Sequence, residues 1–474
     1  MSIVETDICV IGGGSGGLSV AAGASQMGAR VVLLEGHKMG GDCLNFGCVP
    51  SKALIAAGKA ANAIKHASRF GITSGDINVD MQKIRDHVQG VIAGIAPHDS
   101  PERFEALGVQ VIQEMGEFIS PKEVKAGKNT IRAKYFVIST GSSAMVPPIP
   151  GLADAAYYTN ENIFEITDTI KHLIVLGGGP IGIELAQAHR RLGADVTVLE
   201  MFSILGKDDA EAVDVVRQRL LEEGLTLHEG TKVIGVAKNA GGVTITLEKN
   251  GETIKIDGTH FLVAGGRKPN LDKLGLDKAN VDFAPQGIKV DARLRTSNKK
   301  IFAIGDARGG LQFTHTAGYD AGIVIRNMLF KLPAKADYRA APWVTYTDPE
   351  LAHVGLNEDM AEKELGKGNF QILRWPFAEN DRASAERETD GFAKVIVDKR
   401  GRVLGATIVG LHAGELIAPW VMAISGKQKI GTLAGIILPY PTFGEISKRA
   451  ASSYYTPKIF SEKMRKIVRF LMKF

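Results

Sequence analysis

Residues 6–35 read TDICVIGGGSGGLSVAAGASQMGARVVLLE, and this stretch decides the fold. An apolar strand enters a glycine turn, an alanine-rich helical segment follows, and a second apolar strand ends at Glu35. In such a unit Gly12 allows the tight turn, Gly14 lets the backbone approach a pyrophosphate, and Gly17 lets the helix pack closely on the strand. The N–H groups at the helix start attract phosphate. The stretch therefore predicts a dinucleotide-binding fold.

A second copy of the pattern occupies residues 171–200, KHLIVLGGGPIGIELAQAHRRLGADVTVLE. Its glycines are Gly177, Gly179 and Gly182, and its final acid is Glu200. In both copies the acid follows the last glycine by 18 residues, where a carboxylate can bind ribose hydroxyls. One glycine turn between a strand and a helix can be purely structural, but two copies in the same register predict two dinucleotide sites.

The acid of the second copy predicts which nicotinamide cofactor binds there. Glu200 would repel the 2′-phosphate of NADPH, and the following residues 201–209 contain no arginine to bind it. Arg190 and Arg191 on the intervening helix leave an alternative, since their side chains could reach across to such a phosphate. The second site is expected to prefer NADH.

Residues 40–52, GGDCLNFGCVPSK, hold two of the three cysteines of the chain. A regular helix would keep the Cα atoms of Cys43 and Cys48 roughly 8.7 Å apart, beyond the range of a disulfide. The segment must therefore be distorted if these cysteines form a bond. Gly47 supplies the conformational freedom, and Pro50 suits the first turn of a following helix.

Three uses of the pair are open: a redox-active disulfide, a structural disulfide, or two metal ligands. The redox use is favoured, because a helix start and Lys52 would both lower the pKa of a thiol. No other Cys/His cluster is present to complete a metal site, so no metal is predicted. Cys9, in the apolar strand DICVI (7–11), is expected to be buried and inert.

The composition is that of an ordinary globular protein, with 45% hydrophobic residues, and 474 residues suit two to four domains. No apolar run approaches the roughly 18–20 residues of a membrane-spanning helix, and no signal-peptide pattern is present. A cytoplasmic location is therefore expected. The net charge of +5 is confined to residues 458–474, so the rest of the chain has no nucleic-acid signature.

Residues 458–474, KIFSEKMRKIVRFLMKF, are called the tail below and hold six Lys or Arg and one Glu. Apolar residues recur in the tail at helical spacings, at Phe460, Met464, Ile467, Val468, Leu471 and Phe474. As a helix, the tail would have one apolar face and one cationic face. It could pack on the protein's own dimer, lie on an anionic membrane, or contact an acidic partner.

The order of these segments resembles the class I pyridine nucleotide–disulfide oxidoreductases, which include dihydrolipoamide dehydrogenase, glutathione reductase and mercuric reductase. The resemblance covers nearly the whole chain and begins with GGxCxNxGCxPSK between two dinucleotide patterns. Three further segments resemble flavin-side motifs of the family: STGSS (139–143), LVAGGRKPN (262–270) and IFAIGDA (301–307). Three segments nearer the carboxyl end resemble the dimerisation domain of the family: DPELAHVGL (348–356), FAENDRASAERETDGFAKVI (377–396) and GATIVGLHAGELI (405–417).

The resemblance implies an α/β fold with two Rossmann-like dinucleotide-binding domains, one for FAD and one for NAD, and an α+β dimerisation domain at the carboxyl end. A homodimer is implied as well. The expected boundaries are an FAD-binding domain at 1–150, an NAD-binding domain at 151–270, a central segment completing the FAD domain at 271–340, and a dimerisation domain with the basic tail at 341–474.

The resemblance also implies an electron path from NADH at the second site to FAD at the first, and then to the cysteine pair, or the reverse. Cys48 would lie against the flavin as the charge-transfer thiolate, and Cys43 would exchange with substrate. Lys52 and Glu184 would lie near the flavin and the nicotinamide. Further cofactor contacts are implied at Gly116, Thr140, Gly141, Gly266, Gly305 and Asp306.

One segment departs from the family pattern. Disulfide-reducing members carry a His-Pro-Thr-x-x-Glu segment whose histidine reaches the partner subunit's site as acid–base catalyst. Here ILPYPTFGEISKRAA (437–451) has Tyr440 at the histidine's place and Glu445 at that of the glutamate. A phenol with a reference pKa near 10 is a poor proton shuttle at neutral pH, so slow turnover of dithiols is expected.

The electron acceptor is therefore left open among lipoyl groups on a carrier, quinones, metal ions and small disulfides. Mercuric reductases carry a tyrosine near this position, but they also use a cysteine pair near the carboxyl terminus, and this chain has no cysteine after Cys48. The alternative from another class is a scaffold flavoprotein with a structural disulfide. It predicts that Cys43→Ser leaves every NADH-dependent activity intact.

Overall fold

The computed structural model describes residues 2–474, and the chain divides into two compact units. Unit 1 comprises the residues up to 201 together with 230–336, and unit 2 comprises 202–229 and 337–474. The domain boundaries expected from the sequence stay a prediction.

The first part of unit 1 alternates strands with helices. Its strands are β1 (Ser2–Ile11), β2 (Val31–Leu34), β3 (Val109–Ile112), β4 (Gly116–Ser120), β5 (Glu123–Ala126), β6 (Asn129–Ile138), β7 (Ser142–Ala144), β8 (His172–Leu176) and β9 (Asp195–Leu199). Its helices are α1 (Ser15–Gln26), α2 (Gly41–Asn45), α3 (Cys48–Lys65), α4 (Met81–Ile95), α5 (Pro101–Ala106) and α6 (Pro180–Arg191).

Residues 202–229 contribute helix α7 (Ala210–Glu222) and strand β10 (Thr226–His228) to unit 2. Unit 1 then resumes with strands β11 (Lys232–Asn239), β12 (Gly242–Lys249), β13 (Glu252–Gly258), β14 (His260–Val263), β15 (Arg267–Pro269), β16 (Phe283–Ala284), β17 (Gly287–Ile288) and β18 (Ile301–Ala303), and with helix α8 (Thr314–Met328).

Unit 2 continues from residue 337 with a further set of strands and helices. The strands are β19 (Pro342–Thr345), β20 (Glu350–Gly355), β21 (Phe370–Pro376), β22 (Phe392–Asp398) and β23 (Val403–Gly410). The helices are α9 (Glu358–Leu365), α10 (Asp381–Glu386), α11 (Ala413–Leu416), α12 (Ala418–Ser425), α13 (Ile430–Ala434), α14 (Glu445–Ser453), α15 (Thr456–Ile459) and α16 (Glu462–Leu471).

The main sheet of unit 1 has the order β3-β2-β1-β6-β5-β4, and β18 also pairs with β6. β1, β6 and β18 run parallel, and their last residues are in register: Ile11 lies opposite Ile138, which lies opposite Ala303. The first glycine loop and the segments 139–143 and 301–307 therefore leave the sheet at the same edge. This edge is where open α/β sheets bind ligands.

A second parallel group in unit 1 repeats this arrangement. β8 pairs with both β9 and β14, and Leu176 lies opposite Leu199 and Val263. The second glycine loop, Glu200 and the segment 264–266 therefore leave the strands together. β11, β12 and β13 form a separate antiparallel sheet.

Unit 2 is built on the antiparallel sheet β19-β20-β23-β22-β21. Trp420 of α12 is fully buried against it and donates to the Ser447 hydroxyl at 3.0 Å. The buried Lys394 ammonium on β22 holds α7 by an ion pair of 2.9 Å with Asp209. Within residues 2–474, no helix combines the length and apolarity needed to cross a membrane.

Candidate dinucleotide sites and cysteine pair

The two glycine loops have the same backbone geometry. Gly12 and Gly177 have φ of +108° and +114°, in the region that favours glycine. A Cβ on Gly12 would collide with the carbonyl of Ser139, and one on Gly177 would collide with that of Ala264. Each loop therefore passes close to the neighbouring strand's end, and only glycine permits this approach.

The helix that follows each loop begins at a glycine without a side-chain cap, at Gly14 for α1 and at Gly179 for α6. A Cβ on Gly179 would meet nothing within 4 Å, and one on Gly14 would meet only the Cα of Gly41, at 3.8 Å. The N–H groups in the first turn of each helix therefore face an open space, which a side chain at the glycine would occupy. A pyrophosphate fits such a cradle, since helix N-termini bind anions. Gly17 and Gly182 lie within the first turns, where a Cβ would strike the preceding loop.

The acids that end the two patterns are bound by their own loops. Glu35 accepts hydrogen bonds from the N–H groups of Gly13 at 2.6 Å and His37 at 2.7 Å. Glu200 accepts one from the N–H of Gly178 at 2.7 Å. Each carboxylate is thus oriented beside its glycine loop.

The Arg190 side chain is bonded to residues at the start of β9. Its guanidinium pairs with the carboxylate of Asp195 at 2.9 Å and also donates to the carbonyl of Ala194 at 3.1 Å. These contacts hold Arg190 at the beginning of β9, whereas Glu200 follows the end of that strand. Arg191 is buried.

The segments with flavin-side resemblance converge around Ser142. The Ser142 hydroxyl donates to Asp306 at 2.5 Å and accepts from Arg267 at 2.8 Å, and Arg267 also pairs with Asp42 at 3.1 Å. Burial raises the pKa of Asp306, although the hydrogen bond from Ser142 opposes this. The network joins the cysteine segment to the two later motifs.

The remaining predicted contacts lie around these segments. The Thr140 hydroxyl donates to the carbonyl of Asn270 at 2.7 Å. Gly141, Gly266 and Gly305 have positive φ of 69°, 127° and 59°. Gly116 starts β4, where a Cβ would press on Leu34, at 2.8 Å from its Cδ1. The roles predicted for these positions in binding FAD or NAD stay predictions.

The helix is interrupted between the two cysteines, as a bond between them would require. Cys43 lies in α2 and Cys48 is the first residue of α3, with Phe46 and Gly47 breaking the helix between them. Gly47 has φ −122° and ψ −113°, outside the helical region. The two cysteines are thiols that share a hydrogen bond, and Cys9 is fully buried.

The two thiols have opposite pKa shifts. The hydrogen bond from Cys43 is the largest of the effects that lower the pKa of Cys48 to about 6, and Thr314 and Lys52 lower it further against partial burial. The same hydrogen bond and burial raise the pKa of Cys43. Cys48 is therefore the thiolate at neutral pH, and Cys43 retains its proton.

Lys52 links the cysteine helix α3 to the second nucleotide-binding helix α6. Its ammonium lies 2.7 Å from the Glu184 carboxylate and 3.4 Å from the Ser51 hydroxyl. Glu184 is buried and Lys52 is partly exposed. The ion pair holds the Lys52 ammonium near Cys48. It also anchors this ammonium to α6, the helix that starts at the second glycine loop.

Thr314 is a site residue that the sequence did not predict. It is the first residue of α8, and its hydroxyl oxygen lies 3.8 Å from the sulfur of Cys48. The segment FTH (313–315) lies shortly after the predicted motif 301–307. This proximity was the only feature of the sequence that pointed to Thr314. A hydroxyl at this distance can donate to the Cys48 thiolate.

Thr314→Val is expected to raise the pKa of Cys48 by about one unit, because the thiolate loses a donor. The measurement is a pH titration of the thiolate's ultraviolet absorbance in the reduced protein, with the Cys48→Ser titration subtracted. The wild type should titrate with a midpoint near pH 6, with the thiol below it and the thiolate above it. Thr314→Ser keeps the hydroxyl and should retain the wild-type midpoint. Equal midpoints in all three proteins would contradict the assigned hydrogen bond.

Tyr440 and Glu445 belong to unit 2. The Tyr440 side chain is 70% exposed, and its hydroxyl donates to the Asp381 carboxylate at 3.0 Å. This hydrogen bond raises the pKa of Tyr440 above its usual value, and the charges of Asp381 and Glu445 add to the effect. Glu445 is the first residue of α14. Among the described residues, no group of three or more His, Cys, Asp or Glu could hold a metal ion.

Two family profiles match the chain. One, described as pyridine nucleotide-disulphide oxidoreductase, matches residues 6–321, and the other, the dimerisation domain of the same family, matches residues 341–451. The dihydrolipoyl dehydrogenase of Geobacillus stearothermophilus is 34% identical over 94% of this chain and 96% of its own length. The mercuric reductase of Staphylococcus aureus is 33% identical over 95% of this chain and 82% of its own.

Solved structures are similar as well. LpdA from Mycobacterium tuberculosis superposes with a TM-score of 0.87 at 25% identity, covering 95% of this chain and 99% of its own. The Cu(II) complex of the HOCl-induced flavoprotein disulfide reductase RclA from Escherichia coli gives a TM-score of 0.83 at 26% identity, covering 93% of this chain and 98% of its own.

Proposed function

The chain belongs to the pyridine nucleotide-disulphide oxidoreductase family, and we propose that it carries electrons between NADH and an acceptor through FAD and the Cys43–Cys48 pair. The predicted family, the α/β fold with two dinucleotide-binding domains, and the assignment as an FAD-dependent oxidoreductase using NAD(H) are confirmed. The dimerisation domain confirms the predicted homodimer. The preference for NADH, the acceptor, the site residues and a cytoplasmic location are parts of the proposal.

The opposite pKa shifts of the two cysteines carry the proposal. Reduction of a disulfide here takes up two electrons and one proton, and it yields a thiol and a thiolate. Cys43 would keep the proton and act as the exchanging thiol, since its pKa is raised. Cys48 would be the thiolate on the flavin side, stabilised by Lys52 and Thr314.

The chain's own residues would hold the cofactors at the two glycine loops. Gly12, Gly14 and Glu35 would bind the pyrophosphate and ribose of FAD. Gly177, Gly179 and Glu200 would bind those of NADH at the matching loop. When bound, the two cofactors supply the hydride chemistry. Glu184 would position the Lys52 ammonium, so that the cation faces both the cysteine helix and the nicotinamide site.

Glu200→Gln is expected to narrow the preference for NADH over NADPH by about 10- to 100-fold in kcat/KM, because the repulsion of the 2′-phosphate is removed. The amide oxygen can still accept the hydrogen bond from Gly178, so the loop should keep its geometry. Glu248→Gln, on the exposed face of β12, removes the same charge and should leave the ratio unchanged. A wild type that uses both cofactors equally would contradict the proposed preference.

Tyr440 favours a second candidate function, the reduction of a metal ion. Its phenol is held in the protonated state by Asp381. If Tyr440 reaches the cysteine pair of the partner subunit, it therefore offers no ready proton shuttle for a dithiol. Reduction of a metal ion at Cys43 needs no such shuttle. The named similarity to a mercuric reductase, and to RclA solved with Cu(II), supports this candidate.

The acceptor is tested by NADH oxidation with the purified, FAD-loaded protein. The acceptors are lipoamide, a soluble quinone, Hg(II), Cu(II) and a small disulfide, each compared with the reaction in oxygen alone. We expect acceleration by at least one of them and little by lipoamide. Rapid turnover of lipoamide would identify a lipoamide dehydrogenase despite Tyr440. Acceleration by none would contradict the proposed acceptor classes and favour the scaffold alternative.

A further inference from the structure

The tail is an exposed helical segment of unit 2. Most of it forms α16 (Glu462–Leu471). Ser461 caps this helix, and its hydroxyl accepts a hydrogen bond from the N–H of Met464 at 3.4 Å. Every residue of 462–474 is exposed, and α16 buries none of its side chains. The predicted amphipathic helix is therefore present, but the chain itself does not cover it.

The apolar face of α16 is continuous. At about 100° per residue, the side chains at 464, 467, 468 and 471 point to one side of the helix. Their exposed fractions are 37% for Met464, 39% for Ile467, 48% for Val468 and 60% for Leu471. Phe460 and Phe474, which flank the helix, are 65% and 96% exposed. This much apolar surface on a helix with no covering element marks a contact site.

The opposite face is cationic. Arg465, Lys466 and Arg469 lie on the side away from the apolar face, and Lys463 and Lys473 flank them. The tail's one acid, Glu462, pairs with Arg465 at 3.1 Å on the solvent side. The tail thus holds the whole net charge of +5 of the chain.

We propose that the tail binds the surface of an anionic lipid bilayer. α16 would lie in the plane of the interface, with Ile467, Val468 and Leu471 inserted between the acyl chains. Its lysines and arginines would reach the lipid phosphates, because long basic side chains extend from an apolar stripe to the headgroups. This inference does not rest on the proposed redox function.

Charge favours a bilayer over a second copy of the chain. Pairing the apolar faces of two tails would bring two segments of net charge +5 together, whereas an anionic surface attracts each of them. The matched dimerisation domain also ends at residue 451, before the tail begins. An apolar stripe opposite a largely cationic face is typical of interfacial helices, and Phe470, 59% exposed, is the apolar residue on the cationic side of α16.

The test is flotation of the full-length, FAD-loaded protein with liposomes at low salt. One vesicle contains phosphatidylcholine alone, and the other contains equal amounts of phosphatidylcholine and phosphatidylglycerol. We expect flotation with the anionic vesicles only, and a loss of binding as salt is added. Deletion of residues 458–474 should abolish flotation. Ile467→Asp with Leu471→Asp should weaken binding at least about tenfold.

Two controls separate the tail from other causes. Ile72→Asp changes an apolar side chain that is 60% exposed outside the tail, and it should float like the wild type. NADH oxidation and gel filtration of the deletion variant report whether the protein remains folded and dimeric. Absence of wild-type flotation, or flotation that survives the deletion, would overturn the proposal. If the wild type does not float and the deletion yields monomers, the tail binds a second copy instead.

Discussion

Cys43→Ser is expected to lower NADH-driven turnover of the acceptor by at least about 10³-fold while FAD stays bound. Cys43 would be the group that attacks or binds the acceptor, and serine is far less nucleophilic. The serine hydroxyl can still donate to the Cys48 sulfur, so the Cys48 thiolate should persist in the variant. Steady-state rates and the flavin absorbance of the gel-filtered protein measure the two effects.

Cys9→Ala is the matched control for that experiment. Cys9 is fully buried in β1, and burial raises its pKa, so its thiol takes no part in exchange. The alanine variant should keep the wild-type rate, apart from a modest loss of stability caused by the small cavity. If Cys43→Ser kept the wild-type rate as well, the pair would be structural, and the scaffold alternative would stand.

Tyr440→His is expected to increase the rate of NADH formation from dihydrolipoamide and NAD⁺ by about 10²- to 10⁴-fold, the usual contribution of a placed acid–base group. An imidazole titrates near neutral pH, whereas the phenol at this position has its pKa raised further by Asp381 and Glu445. The same carboxylates would stabilise a protonated imidazole. The expectation rests on the proposal that residue 440 reaches the cysteine pair of the partner subunit.

Tyr440→Phe is the control for this substitution. It removes the hydroxyl and its hydrogen bond to Asp381 without adding a group that titrates near neutral pH. Its dihydrolipoamide rate should stay as low as that of the wild type. A fast wild type would show that another group replaces the histidine. No gain in Tyr440→His, with FAD bound and the dimer intact, would contradict the proposed place of residue 440.

Much of the candidate site was predictable from local rules. Gly12 and Gly177 have the backbone geometry that the pattern predicts, because any side chain there would collide with the neighbouring strand's end. The break lies at Gly47, the residue from which the sequence predicted the conformational freedom that a Cys43–Cys48 bond would need. The helical tail follows from the period of its apolar residues.

Contacts between distant residues were not predictable in this way. Thr314 lies 266 positions from Cys48 along the chain, and Glu184 lies 132 positions from Lys52. No spacing rule relates such residues, since their contact depends on how α3, α6 and α8 pack. The opposite pKa shifts of the two thiols have the same origin, because they depend on which sulfur donates and which cations are near.

The sequence by itself determined the two glycine loops, the acids that follow them, the distorted cysteine segment and the amphipathic tail. Each of these depends on backbone sterics or on a helical period, which act over a few neighbouring residues. The tertiary structure alone decided that Thr314 contacts Cys48, that Lys52 pairs with Glu184, and that the chain's own fold does not cover the tail. These features depend on which distant side chains packing brings together, and on the desolvation and charge that result.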